Sequence, residues 1–370
     1  MRFLFLEPFY GGSHRDFAKG LATHSRHDIH LATLPARFWK WRMRGAALHF
    51  AQTIGDLAPF DGIITTGLMS LADFTALCDE CHPPTMVYFH ENQLTYPLAP
   101  GEQMDLQFGF TDITTALCAD RVLFNSQFHF DQFFSILPRF IGQMPEFKPL
   151  WAVDAIRNKA RVLHPGCRFA SVSLEPASLH PGPPLVVWNH RWEFDKNPKA
   201  FFDALDRVDR MGIEFRLALL GENYQAEPKA FVNAKSRFGD KIVQYGYAPS
   251  KEAYVGWLRK GFVAVSTAIQ ENFGIAMVEA MRQGCLPLLP HRLSYPEILP
   301  KEFHGAFMYR DDDDLVAKLA DMLRHPERYT LHRPVLADMM ARHAWSSVID
   351  RYDRELELLT EARGRRSDTR

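Results

Sequence analysis

Short apolar runs alternate along the chain with longer stretches of helical periodicity, the signature of α/β layers built on parallel strands. In the first half the runs predict strands at 2–7, 29–34, 62–66, 85–90, 121–125 and 161–164, with helices in the gaps, as at 70–78 and 110–119. The second half repeats the pattern, with strands predicted at 185–189, 214–220, 241–245, 262–267, 286–289 and 306–309. Between the halves, residues 164–184 hold five prolines and two glycines in a weakly periodic stretch, which reads as an interdomain linker. Residues 344–361 read as a long amphipathic helix and 363–370 as a polar end. The expected architecture is two doubly wound, Rossmann-like α/β domains, 1–168 and 182–345, facing each other across a cleft. A C-terminal helix, 346–370, is free to pack back on the first domain. Ligands are expected at the C-terminal ends of the strands.

Composition narrows the class. With 46% hydrophobic and 24% charged residues in 370, each half can bury its own core, and a disordered chain is excluded. No apolar run reaches the ~18 residues of a membrane span. Only four apolar residues, Phe3 to Leu6, precede Glu7, too few for a signal peptide, so a cytoplasmic protein is expected. The balance of 43 basic against 44 acidic side chains excludes a globally basic nucleic-acid binder but not a local basic patch. Five cysteines do not make a disulfide framework. The spacing Cys78, Cys81, His82 matches covalent haem attachment, which would require export; a zinc site would lack a fourth ligand, so the string reads as a loop before a strand.

Four loops carry candidate chemistry. After the first strand, Gly11-Gly12-Ser13-His14 opens a helix, where paired glycines allow close backbone approach and free N–H groups face an anion. The dinucleotide fingerprint is absent, so a dehydrogenase gains no support. Where strand 85–90 ends, His90 is placed to orient a hydroxyl or exchange a proton, and Glu91, Asn92 and Gln93 to bond a polyol. After the first strand of the second half, Arg191 and Lys196 lie beside the helix start Asn197-Pro198. Two cations there suit a diphosphate leaving group, whose negative charge grows as its bond breaks. Glu271 and Glu279 are eight positions apart, an offset of about 80° and about 12 Å on a helix, too far to share one reacting centre. They suit two parts of one elongated ligand, with Asn272, Phe273 and Gly274 presenting N–H groups between them.

Glu271, seven residues, Glu279, with Phe273-Gly274 inside and Gly284-Cys285-Leu286-Pro287 after, resembles the signature of retaining glycosyltransferases of the GT-B fold. The strings at 7–14, Glu-Pro-Phe-Tyr-Gly-Gly-Ser-His, and at 89–97, Phe-His-Glu-Asn-Gln-Leu-Thr-Tyr-Pro, resemble the tRNA-queuosine mannosyltransferase family. The resemblance implies transfer of mannose from GDP-mannose to the cyclopentenediol of queuosine in a tRNA anticodon loop. By position, it implies catalytic roles for His90, Arg191, Lys196 and Glu271. Gly11, Gly12, Arg191, Lys196, Asn272, Phe273, Gly274 and Glu279 would bind the donor, Glu279 through the ribose. Ser13, His14, Glu91, Asn92 and Gln93 would bind the acceptor, in a same-face displacement with no cofactor. Metal independence is expected, because Asp311-Asp312-Asp313-Asp314 opens a helix, where acidic residues favour the macrodipole, rather than forming a cation site.

Arg37, Lys40, Arg42 and Arg44, interleaved with Phe38, Trp39 and Trp41, supply the local basic patch. Such a string can clamp RNA and stack its bases, lie on an anionic membrane, or cover a core with its aliphatic stems. The strings at 7–14 and 89–97 favour tRNA, with no stable membrane association. A sugar transferase acting on a lipid or small glycan, and an RNA-binding module on a retired scaffold, are the competing expectations.

Overall fold

The computed structural model describes residues 1–78, 82–99, 101–170, 182–221 and 227–367. Cys81 and most of the linker lie outside the described residues. The chain divides into two units, Met1–Arg168 with His343–Arg370, and Phe169–Arg342.

The first unit holds β1 (Arg2–Tyr10), β2 (Asp28–Pro35), β3 (Gly62–Thr66), β4 (Thr85–Phe89), β5 (Arg121–Phe124) and β6 (Ala160–Val162). They form one parallel sheet in the order β2-β1-β3-β4-β5-β6. Every residue of β3 and β4 is buried, because helices cover both faces, and such strands read as continuous apolar runs. Alternate residues serve separate cores. Leu4, Leu6, Ile63, Val87 and Phe89 pack on one face, and Phe3, Phe5, Ile64, Met86 and Tyr88 on the other.

The second of these faces is closed by the last helix, Trp345–Ser367. Its buried stripe is Trp345, Val348, Tyr352, Leu356 and Leu359, spaced by three and four residues as a helix face requires. The Trp345 indole sits in a slot made by two glycines: a Cβ on Gly20 would fall 1.9 Å from its Nε1, and one on Gly166 2.2 Å from its ring. The Tyr352 hydroxyl donates to the His164 carbonyl at 2.9 Å.

The second unit holds β7 (Leu185–Trp188), β8 (Arg216–Leu219), β9 (Ile242–Tyr245), β10 (Val263–Val265), β11 (Leu286–Pro290) and β12 (Met308–Tyr309), also parallel, in the order β12-β11-β10-β7-β8-β9. Counted within the unit, this is the Rossmann order 3-2-1-4-5-6. β10 stops two residues before its predicted end because the Thr267 hydroxyl leaves the sheet to bond the carbonyls of Lys196 and Asn197, at 3.0 and 2.9 Å. β12 begins two residues late, since Ala306 belongs to the helical turn His304–Phe307. In each sheet the strand order reverses once beside the first strand, at β1/β3 and at β7/β10, the positions where open α/β sheets bind ligands.

Candidate active site

In the first unit β1 delivers Glu7, a fully buried carboxylate, and its loop turns into the helix Gly12–His24. Gly12 has φ +48°, and a Cβ on Gly11 would lie 2.3 Å from that of Ala36, so both positions need glycine. The turn brings His14 back onto Glu7, with Nδ1 3.2 Å from Oε1, while Nε2 lies 3.4 Å from the carboxylate of Glu91 beyond β4. Glu7 also accepts from the Phe9 amide at 2.8 Å and the Thr66 hydroxyl at 3.3 Å. Burial opposes a charge on His14, but the two carboxylates overcome it and raise its pKa to about 10. The His90 ring lies 4.2 Å from the His14 ring. Burial, with His14 and His129 beside it, holds the His90 pKa well below the ordinary value. An imidazolium therefore lies against a neutral imidazole that can trade hydrogen bonds with a hydroxyl.

The other expected acceptor residues divide. Ser13 is exposed and Gln93 half-buried, its amide held by Asp112 Oδ2 at 2.5 Å. Asn92 is buried and spent on the loop itself: Oδ1 accepts from the amides of Leu94 and Thr95, both at 3.0 Å, and Nδ2 lies 2.7 Å from His129 Nε2. It shapes the strand end rather than offering itself to a ligand.

The basic string falls on the turn into the helix Trp39–Thr53, with Phe38 at φ +56°. Trp41 is 77% and Phe38 69% exposed, and Arg37, Lys40 and Arg44 are exposed as well. Lys40 pairs with Glu102 at 3.4 Å, and Arg44 donates to Gln107 Oε1 at 3.2 Å. Arg42 is half-buried and turned back to the Pro35 carbonyl, so the outward charge comes from the other three.

In the second unit the loops after β7 and β10 meet at Lys196. Its ammonium lies 2.8 Å from the Gln270 carbonyl, 3.1 Å from Asp195 Oδ2 and 3.2 Å from Glu271 Oε2. Burial opposes its charge, but Glu271 and Asp195 raise its pKa above the ordinary value. Conversely, burial favours a neutral Glu271, and Lys196 overcomes it and lowers its pKa. Glu271 Oε1 meanwhile accepts from the amides of Gly274 (3.0 Å) and Phe273 (3.5 Å). Two of the three N–H groups expected to face a ligand, those of Phe273 and Gly274, are thus joined to the carboxylate of their own loop. Gly274, at φ +93°, makes that turn and opens the helix Ile275–Arg282. The side chain of Asn272 accepts from Gln270 at 2.9 Å. Arg191 is more exposed and pairs with Glu193 at 3.1 Å.

Glu279 faces the helix Lys251–Lys260, where Lys251 and Tyr254 hold its two oxygens, the Tyr254 hydroxyl at 3.0 Å. Asn189 Nδ2 donates to that hydroxyl at 3.1 Å. The arrangement is a clamp of two carboxylates, each fixed by a cation, along the C-terminal edge of one sheet. A cavity of about 490 Å³ lined by Gly182, Met211, Ile213 and Arg324 lies at the opposite edge and includes no candidate residue.

Sequence reasoning passed over Glu7, Asp195, His190, Lys251 and Tyr254. A carboxylate interrupting an apolar strand marks Glu7, and its place between the two cations marks Asp195. Lys251 and Tyr254, three apart on a helix, carry no such mark. His190 is buried with no hydrogen bond at Nε2 among the described residues, and burial beside Lys196 pushes its pKa down to about 3. Among the described residues, Glu7, His14 and His90 bring ligand-type atoms within 4.8 Å of one another. Both His14 nitrogens are committed to carboxylates, so the trio is an ion-pair cluster in character. Asp311 caps the helix Asp312–Arg324 by accepting from the Asp314 amide at 2.9 Å, giving the acidic run a structural use.

Two parallel Rossmann-type sheets with a paired-carboxylate clamp beside two cations define a GT-B glycosyltransferase. Solved structures agree on the fold: sucrose-phosphate synthase from Thermosynechococcus elongatus aligns with a TM-score of 0.75 at 13% identity, over 98% of this chain and 100% of that one. A glycosyltransferase from Rickettsia africae aligns with 0.68 at 14%, over 97% and 98%. Residues 2–167 match the family described as tRNA-queuosine alpha-mannosyltransferase N-terminal, and 174–332 match glycosyl transferases group 1. The tRNA-queuosine alpha-mannosyltransferase of Drosophila melanogaster is 36% identical over 345 residues, 89% of each chain. The chain belongs to the tRNA-queuosine alpha-mannosyltransferase family. A GDP-mannose:cellobiosyl-diphosphopolyprenol alpha-mannosyltransferase of Xanthomonas campestris is 22% identical over 91% of this chain and 84% of its own.

Proposed function

We propose that this glycosyltransferase transfers mannose from GDP-mannose to a cyclopentenediol hydroxyl of queuosine in the tRNA anticodon loop, with retention of anomeric configuration and without a metal. The acceptor follows the Drosophila relative, and GDP-mannose is named for the Xanthomonas one. The observation that carries the chemistry is Lys196, a buried ammonium fixed beside Glu271. Lys196, with Arg191 outside it, stabilises the diphosphate as the bond from its oxygen to the anomeric carbon breaks, while Glu271 holds the sugar and Glu279 the ribose. The acceptor oxygen bonds to that carbon on the same face, and its proton passes to the departing phosphate oxygen. Neutral His90 orients the acceptor hydroxyl, and Gly11-Gly12 let the backbone come close to the donor. Arg37, Lys40 and Arg44, with the aromatic faces of Phe38 and Trp41, hold the RNA. The reading makes the enzyme cytoplasmic; among the described residues no helix is long and apolar enough to cross a membrane.

The test is labelled GDP-mannose with tRNA containing or lacking queuosine, followed by nucleoside analysis. Label in queuosine alone is expected. Label in lipid extracts instead would favour the membrane reading, to which the exposed Phe38 and Trp41 also lend themselves. Lys196→Ala at saturating donor is expected to lower turnover by roughly 10²–10³. Wild-type turnover would refute the assignment.

A further inference from the structure

The Lys196 ammonium donates to the Gln270 carbonyl and to Glu271 Oε2, and Asp195 Oδ2 lies 3.1 Å away as an ion-pair partner. A phosphate oxygen that approaches this ammonium competes with these groups for it. The Gln270 carbonyl is backbone and the shortest of the three, at 2.8 Å. The Asp195 side chain is 0% exposed, whereas that of Glu271 is 17% exposed and the farthest away, at 3.2 Å. Glu271 is therefore the partner that yields. It need not move, because its other oxygen stays on the amides of Gly274 and Phe273.

We propose that the Lys196–Glu271 ion pair is a specificity element that lets the site distinguish a sugar-loaded nucleotide from the bare nucleoside diphosphate. The proposal rests on the donor reading given above. Any diphosphate that takes this hydrogen bond leaves Glu271 Oε2 without its Lys196 donor, an uncompensated loss. A sugar held beside the diphosphate supplies hydroxyl donors to that oxygen and makes the loss good. A nucleoside diphosphate brings none, so Glu271 competes with it for Lys196. The pair thus disfavours the product of the reaction relative to its donor, and turnover gains from product leaving readily. Asp195 and the Gln270 carbonyl keep Lys196 in place in both states, so the exchange needs only one hydrogen bond to change hands.

This role separates from a simple interaction between Glu271 and the sugar by the sign of one substitution. Glu271→Gln keeps an oxygen for the two amides and removes the charge that competes for Lys196. Calorimetric titration of wild type and E271Q with GDP, UDP and GDP-mannose reads it, with thermal melting of each variant confirming the fold. E271Q is expected to bind the bare diphosphate roughly tenfold tighter than wild type and GDP-mannose more weakly. Glu271→Asp, which keeps the charge, is expected to show no such gain. Unchanged or weaker diphosphate binding by folded E271Q overturns the proposal, even if mannose transfer proceeds as described. Failure of wild type to bind any of the three nucleotides removes the donor reading and the proposal together.

Discussion

Replacing His14 by glutamine removes the cation seated between Glu7 and Glu91 in the first unit. The unfolded chain titrates this histidine near 6.5, whereas in the fold its pKa is raised to about 10. Between those values the native state binds a proton that the unfolded state has released, so stability is fully present below pH 6.5 and is lost as pH rises toward 10. At about 1.4 kcal/mol per pH unit, the window corresponds to roughly 3–5 kcal/mol. Tyrosines and lysines titrate over the same range in both proteins, so the informative quantity is the difference between wild type and H14Q. That difference is expected to be largest at pH 6.5 and to close by pH 10. Urea-dependent amide exchange in peptides covering β1 and β4 measures it in the first unit alone. Nitrogen chemical shifts of the His14 ring supply a direct reading and should remain those of an imidazolium at pH 8. A stability gap constant across the window, or a ring that titrates near 6.5, would refute the charged clamp.

Gly20→Ala drives a methyl into the Trp345 ring and is expected to cost about 1–3 kcal/mol in the first unit, with faster proteolysis of the last helix. Unaltered protease resistance would mean that the indole has room the geometry denies it. Charge reversal at Arg37 and Arg44 should weaken tRNA binding and flatten its log–log salt slope by roughly one for each phosphate no longer neutralised, as measured by filter binding from about 50 to about 200 mM salt. Reversal at the half-buried Arg42 should act through stability instead.

How much of the molecule could be read from its sequence depends on where partners lie along the chain. β3, β4 and β7 were legible because strands covered on both faces are apolar throughout. The loops after β1, β4, β7 and β10 stood out because polar residues follow those runs at once. The structural partner of Asn92 was hidden because His129 lies 37 residues away, on the helix Gln127–Gly142. Lys251 and Tyr254 were invisible for the same reason, 28 and 25 residues from the carboxylate they hold. The amphipathic stripe of the last helix was plain, but nothing in a periodic pattern names the surface it will cover. The glycine slot of Gly20 and Gly166, with the Ser25–Asp353 and Arg121–Glu355 contacts, makes that choice.

That choice sets a timetable for synthesis. The face of the first sheet formed by Phe3, Phe5, Ile64, Met86 and Tyr88 is completed by Trp345 to Leu359, so it emerges from the ribosome long before its cover does. At about 5–20 residues per second, the intervening second unit delays closure by roughly ten seconds or more. During that interval the part of this face that the helix Gly12–His24 leaves uncovered stays open to solvent. The nascent chain is then a natural client for chaperones that hold apolar surface. Premature termination near residue 340 would release a second unit able to complete its sheet beside a first unit permanently open on one side.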